Sequence, residues 1–211
     1  MRRYVLFVVL SAALVVGSSD LGSAEPGSSA ETPTQRVAPE ELGVDPSTAT
    51  TDWRAEDLGG GVVKISFGDL SRSRPDASAK RVASGRPADG SVSTAALSWY
   101  CNVYTTFATT LSSPYLRTAY QVDCYNVNRH RVDWQFQRSS WSGYRSYTNW
   151  TTGGWISSTT NAQTIYAFCG SGGTYDYRGN VKSVVDVGGS IYTSPSQATA
   201  TGRYACGTGV S

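Results

Sequence analysis

Along the second half of the chain, apolar and polar residues alternate, which is the period of strands with one buried face. Trp99, Cys101 and Val103 alternate with Tyr100, Asn102 and Tyr104. Tyr120, Val122 and Cys124 alternate with Gln121, Asp123 and Tyr125, and Val132, Trp134 and Phe136 with Arg131, Asp133, Gln135 and Gln137. A fourth strand sets Ile165, Ala167 and Cys169 on the face opposite Tyr166 and Phe168. The stretch from Thr174 carries Tyr175, Tyr177, Val181, Val185 and Val187 before Gly188-Gly189, and a last strand is expected from about Ala200 to Cys206. No segment here has an apolar 3.6 period. The pattern predicts an all-β fold from Leu97 to Ser211, an antiparallel β-sandwich that is immunoglobulin-like or similar, without long helices.

A register follows from the first pair of strands. Ser112, Ser113 and Pro114 favour a turn between them. Folding about Ser112-Ser113 sets opposite each other residues whose numbers sum to 225, so Cys101 faces Cys124 and Val103 faces Val122. Directly opposed residues lie within disulfide range, and a bridge between strands of different layers is the other arrangement open to this pair. Cys169 and Cys206 complete an even set of 4 cysteines. Sequential pairing, Cys101 with Cys124 and Cys169 with Cys206, is expected because each pair joins neighbouring strands.

The N-terminal part reads differently. Arg2 and Arg3 precede an apolar run from Tyr4 to Val16, and Gly22 and Ala24 fit a cleavage site, which marks residues 1–24 as a signal peptide. That run is too short to span a bilayer comfortably. Residues 25–96 carry 11 acids against 8 bases and few large apolar groups, whereas 20 of the 24 aromatic residues lie at or after Trp99. The expectation is a polar, largely disordered linker or pro-region with one strand at 62–67, where Val63, Ile65 and Phe67 alternate with Lys64 and Ser66 behind Gly59-Gly60-Gly61. An exported chain keeps its cysteines in an oxidising compartment, so disulfides are the default reading of the set.

The segment Cys169-Gly170-Ser171-Gly172-Gly173-Thr174-Tyr175-Asp176-Tyr177-Arg178 and the closing Arg203-Tyr204-Ala205-Cys206-Gly207 resemble uncharacterised small secreted proteins of actinobacteria. These pair a signal peptide with a C-terminal β-domain carrying two disulfides. The resemblance covers about Leu97 to Ser211 and implies compartment and fold, with no catalytic residues to carry over. The cysteine spacings match neither the two-disulfide β-sandwich chromophore carriers nor the subtilisin inhibitors.

No catalytic constellation stands out. His130 is the only histidine and, within Asn128-Arg129-His130-Arg131, reads as an exposed turn residue. Asp123, Asp133, Asp176 and Asp186 are the only carboxylates after Leu97, with Asp133 and Asp186 on the polar sides of their strands, where aspartates are ordinarily solvated. There is no Gly-x-Ser-x-Gly elbow, metal-ligand spacing or phosphate loop, and Gly170 to Gly173 reads as a hairpin turn. No cofactor, metal, nucleic acid or membrane span after signal cleavage is expected. The candidate ligand contacts are Trp141, Tyr144, Tyr147, Trp150 and Trp155. In a strand their spacing of three alternates faces, whereas a polyproline-II-like path lines them on one face as a stacking platform. The expected function is that of a secreted, extracellular, non-catalytic module of unknown ligand. A carbohydrate or cell-wall binder is its sharper form, another secreted protein is a further candidate partner, and a hydrolase or enzyme inhibitor is the competing class.

Overall fold

A computed structural model describes residues 35–70, 81–85, 98–105, 108–170 and 173–207, and the expected signal peptide lies outside them. Two β-sheets pack face to face. In the first, the order is β1 (Gln35–Arg36), β5 (Arg81–Gly85), β3 (Trp53–Gly59), β4 (Val62–Gly68), β6 (Tyr100–Thr105), β8 (Tyr115–Tyr125) and β12 (Thr160–Phe168), while β7 (Thr110–Ser112) also pairs with β8. Only the β1–β5 pairing among these is parallel.

The second sheet is built on two long strands, β9 (Arg129–Ser140) and β13 (Gly173–Val187), each flanked by short ones. On the far side of β9 lie β10 (Gly143–Ser146) and β11 (Thr151–Thr152). Along β13 lie β14 (Ser190–Thr193), β15 (Ser196–Ala198) and β16 (Gly202–Cys206), and β15 pairs on with β2 (Val44–Asp45). The described helical turns are two short 3-10 segments, Pro39–Leu42 and Pro46–Thr48.

Alternation fixes which side chains meet between the layers. Ile65, Phe67, Cys101, Val103, Leu116 and Val122 of the first sheet and Val132, Phe136, Tyr177, Val181 and Val185 of the second are buried in one cluster. Gly179 lets the layers approach, because a Cβ there would come within 2.4 Å of Thr118 Cγ2.

The expected register is found. Cys101 pairs with Cys124 and Val103 with Val122, and the bridge joins opposed residues of one sheet with Cα atoms 4.1 Å apart. The Cys169–Cys206 bridge also forms. Its strands are not neighbours, however: Cys169 follows β12 in the first sheet and Cys206 closes β16 in the second, so this bridge staples the layers together. β12 and β13, on either side of the glycine-rich run, belong to different sheets, so they do not form the hairpin expected there.

Residues 35–70 and 81–85, which fall within the expected linker, carry five strands. β1 to β5 belong to the same compact unit as the later strands. The strand at 62–67 is β4, central in its sheet between β3 and β6. Leu42, Val44, Trp53 and Ala55 are buried. They escape a periodicity reading because β2 is two residues long and β3 alternates small or charged residues with its apolar ones.

Two further expectations change with burial. His130 is fully buried inside β9, on the same face as Val132 and Phe136. Asp133 and Asp186 are buried too, held by Arg131 at 3.1 Å and Arg129 at 2.9 Å.

Candidate functional site

The side of the second sheet turned away from the core gathers the aromatic residues of the β9 edge. Cross-strand partners share a face, so Gln137 with Arg178, Gln135 with Asn180, Asp133 with Lys182, and Arg131 with Val184 form its outer rows. The next segment of chain folds over these rows. After the Trp141-Ser142 turn, β10 places Tyr144 beside Ser139, on the outer side. The chain is then laced along β9: Tyr147 and Thr148 donate their backbone N–H to Phe136 O, Gly153 N donates to Val132 O, and Ile156 and His130 exchange backbone bonds. A Cβ on Gly153 would sit 2.3 Å from Val132 O, so only glycine lets the segment run this close.

The result is a row of rings, each above a cation that rises from the sheet. Arg178 lies 3.8 Å from the centre of the Tyr144 ring, Lys182 Nζ 4.5 Å from that of Trp150, and Arg129 and Arg131 both 4.7 Å from that of Trp155. Such cation–π contacts hold the rings in place as well as attracting the charges. The row follows β13 from Arg178 to Val184, roughly 20 Å at the usual strand rise. Arg178 Nε donates to Gln137 Oε1 at 2.8 Å. Burial lowers the pKa of its guanidinium, and Tyr144 opposes that shift. Beyond Arg178 the row meets a cavity of about 320 Å³ lined by Glu41, Asp57, Arg81 and the Gly59-Gly60-Gly61 turn.

The five expected contacts therefore divide. Tyr144, Trp150 and Trp155 share the outer face. Trp141 stands at the hairpin tip, 93% exposed, with Arg145 6.0 Å from its ring centre. Tyr147 turns inward, its ring 5.2 Å from that of Tyr177 and its hydroxyl donating to Phe168 O at 2.7 Å. Burial pushes the Tyr177 phenol up to about 12, with Tyr147 adding to the shift, and the Tyr177 hydroxyl donates to Gly173 O at 2.8 Å. The spacing of three thus alternates faces rather than lining one.

The cations of the row, Arg129, Arg131, Arg178 and Lys182, carried no functional reading in the sequence. Their common face is visible in the strand alternation, but their rings come from another segment and needed the fold to be found. Among the described residues no group of three or more His, Cys, Asp or Glu side chains is placed to hold a metal ion. No family model, no curated protein and no solved structure matches this chain.

Proposed function

We propose that this chain is an exported, non-catalytic binding module that takes carbohydrate on the outer face of its second sheet. Export is supported by the signal-like N-terminus and by two disulfides, which persist in oxidising compartments. No described helix is long and apolar enough to cross a membrane. The ligand class rests on one observation, the row of Tyr144, Trp150 and Trp155 over cations on a single face. Trp150 is 37% exposed, which leaves ring surface for a ligand. Flat amphipathic rings match the apolar faces of sugar rings, and Arg and Lys donors beside them match hydroxyl oxygens. A row of such rings suits a chain of sugars better than a single one.

Binding of the purified protein to a panel of cell-wall and soluble polysaccharides tests the reading. The double variant Trp150→Ala/Trp155→Ala is expected to lose binding and keep a melting temperature close to the parent's. Phe136→Ala, a core control, is expected to lose about 3 to 5 kcal/mol of stability. Absence of any polysaccharide binding by the parent, or undiminished binding by the double variant, refutes the reading.

A further inference from the structure

The other sheet ends in an open edge. β12 pairs along its whole length with β8 and, among the described residues, is the last strand of its sheet. Its ladder shows which backbone groups are already used. Cys169 N donates to Pro114 O and Cys124 N donates to Thr159 O, so odd-numbered residues turn their peptide groups toward β8. Even-numbered residues, Thr160, Ala162, Thr164, Tyr166 and Phe168, turn theirs toward the open side. One of these groups, the Phe168 carbonyl, accepts a hydrogen bond from the Tyr147 hydroxyl.

Natural sheets guard such edges with Lys, Pro, bulges or very short strands. β12 has none of these: it is nine residues long, its register is unbroken, and its sequence Thr-Asn-Ala-Gln-Thr-Ile-Tyr-Ala-Phe carries no charge. No charged residue lies between Arg145 and Asp176. On the outer face beside the edge, Tyr166 is 56% and Phe168 62% exposed, and both meet the ring of Tyr115.

We propose that β12 is a self-association edge, through which two copies join antiparallel about a two-fold axis at Thr164 and merge their first sheets. Full overlap of β12 with itself sets Thr164 opposite Thr164 of the partner subunit. It also sets Ala162 opposite the partner's Tyr166 and Thr160 opposite the partner's Phe168. All of these are residues with outward-turned peptide groups, so the ladder continues in phase. The side chains fit as well: the small half of each strand meets the aromatic half of the other, and Tyr166 and Phe168 lose water contact on both copies. A two-fold contact brings like residues near each other, which penalises a charged edge, and this edge is neutral. The carbohydrate row lies on the other sheet and stays open in the pair.

Sedimentation velocity of the purified full-length protein over a wide concentration range reads the outcome. The parent is expected to pass from monomer to dimer as concentration rises. Thr164→Pro removes only an N–H that faces outward, a change a sheet edge tolerates, and Thr164→Lys sets two charges face to face. Both variants are expected to be monomeric where the parent is dimeric, with melting temperatures measured on dilute monomer close to the parent's. Should Thr164→Pro fail to fold, Thr164→Lys and a cross-link decide. Thr164→Cys is expected to join its own copy by a disulfide under oxidation, whereas Ala162→Cys, about four residues out of register with its own copy, is not. A parent that stays monomeric at every concentration, a dimer that survives Thr164→Lys, or cross-linking at Ala162→Cys equal to that at Thr164→Cys overturns the proposal.

Discussion

At the scale of single residues, His130 is the most informative. Its Nε2 lies 2.8 Å from the Ser158 carbonyl, so Nε2 carries the proton, and Nδ1 is left without a partner among the described residues. A second proton would put charge on a buried nitrogen with nothing to accept its bond. Burial accordingly lowers the His130 pKa from the ordinary 6.5, with the Ser158 carbonyl and Asp123 opposing. In the unfolded chain the ring takes its proton near 6.5, while the folded one resists until lower pH. The unfolded state therefore binds more protons as pH falls below 6.5, and stability drops until the folded pKa is reached. Urea denaturation from neutral pH downward is expected to show this decline, and His130→Gln to flatten its upper part; a parent with no decline there contradicts the assignment. The burial was legible in principle, since His130 shares parity with Val132 and Phe136. Its polar neighbours Asn128, Arg129 and Arg131 hid the strand's true start.

At the scale of elements, what could be read from the sequence depended on whether alternation alone defined a strand. β6, β8 and the middle of β9 alternate cleanly, and the β6–β8 register is the expected one although the turn itself pairs Ser112 with Tyr115, two residues out of step with it. β3 does not, because it carries Glu56, an ionisable residue that is fully buried. Its carboxylate is held by Arg54 at 2.5 Å and by Lys64, its cross-strand partner on β4, at 2.8 Å. One of its two cations, Lys64, is supplied by the β3–β4 pairing, which is invisible in a linear reading. Replacing Glu56 by Ala is expected to destabilise the fold by about 3 to 5 kcal/mol, since it strands two cations of low exposure. A loss below about 1 kcal/mol in urea melts, the range of exposed pairs, contradicts this. The bridges obey the same rule. Cys101–Cys124 follows from a register, whereas the layer-spanning role of Cys169–Cys206 depends on which sheet each strand joins.

For the whole molecule, the sandwich separates two kinds of surface. One sheet turns outward a row of rings over cations, and the other ends in a neutral edge flanked by exposed aromatics. The aromatic segment was recognisable as a candidate from its spacing, but its division was not. Which rings face out was decided by the lacing of residues 143–156 along β9, a set of long-range backbone bonds. The central claim concerns Trp150 and Trp155, and the chain supplies its own reporters in 6 tryptophans placed in distinct settings. Trp53 and Trp99 are buried, Trp134 packs against the core, and Trp141 stands at an exposed tip. The most direct measurement is therefore the indole N–H region of the nuclear magnetic resonance spectrum during titration with an oligosaccharide released from a bound polysaccharide. The account predicts that the Trp150 and Trp155 signals shift together and saturably while those of Trp53 and Trp99 stay in place. Saturable shifts that leave Trp150 and Trp155 unmoved would contradict it.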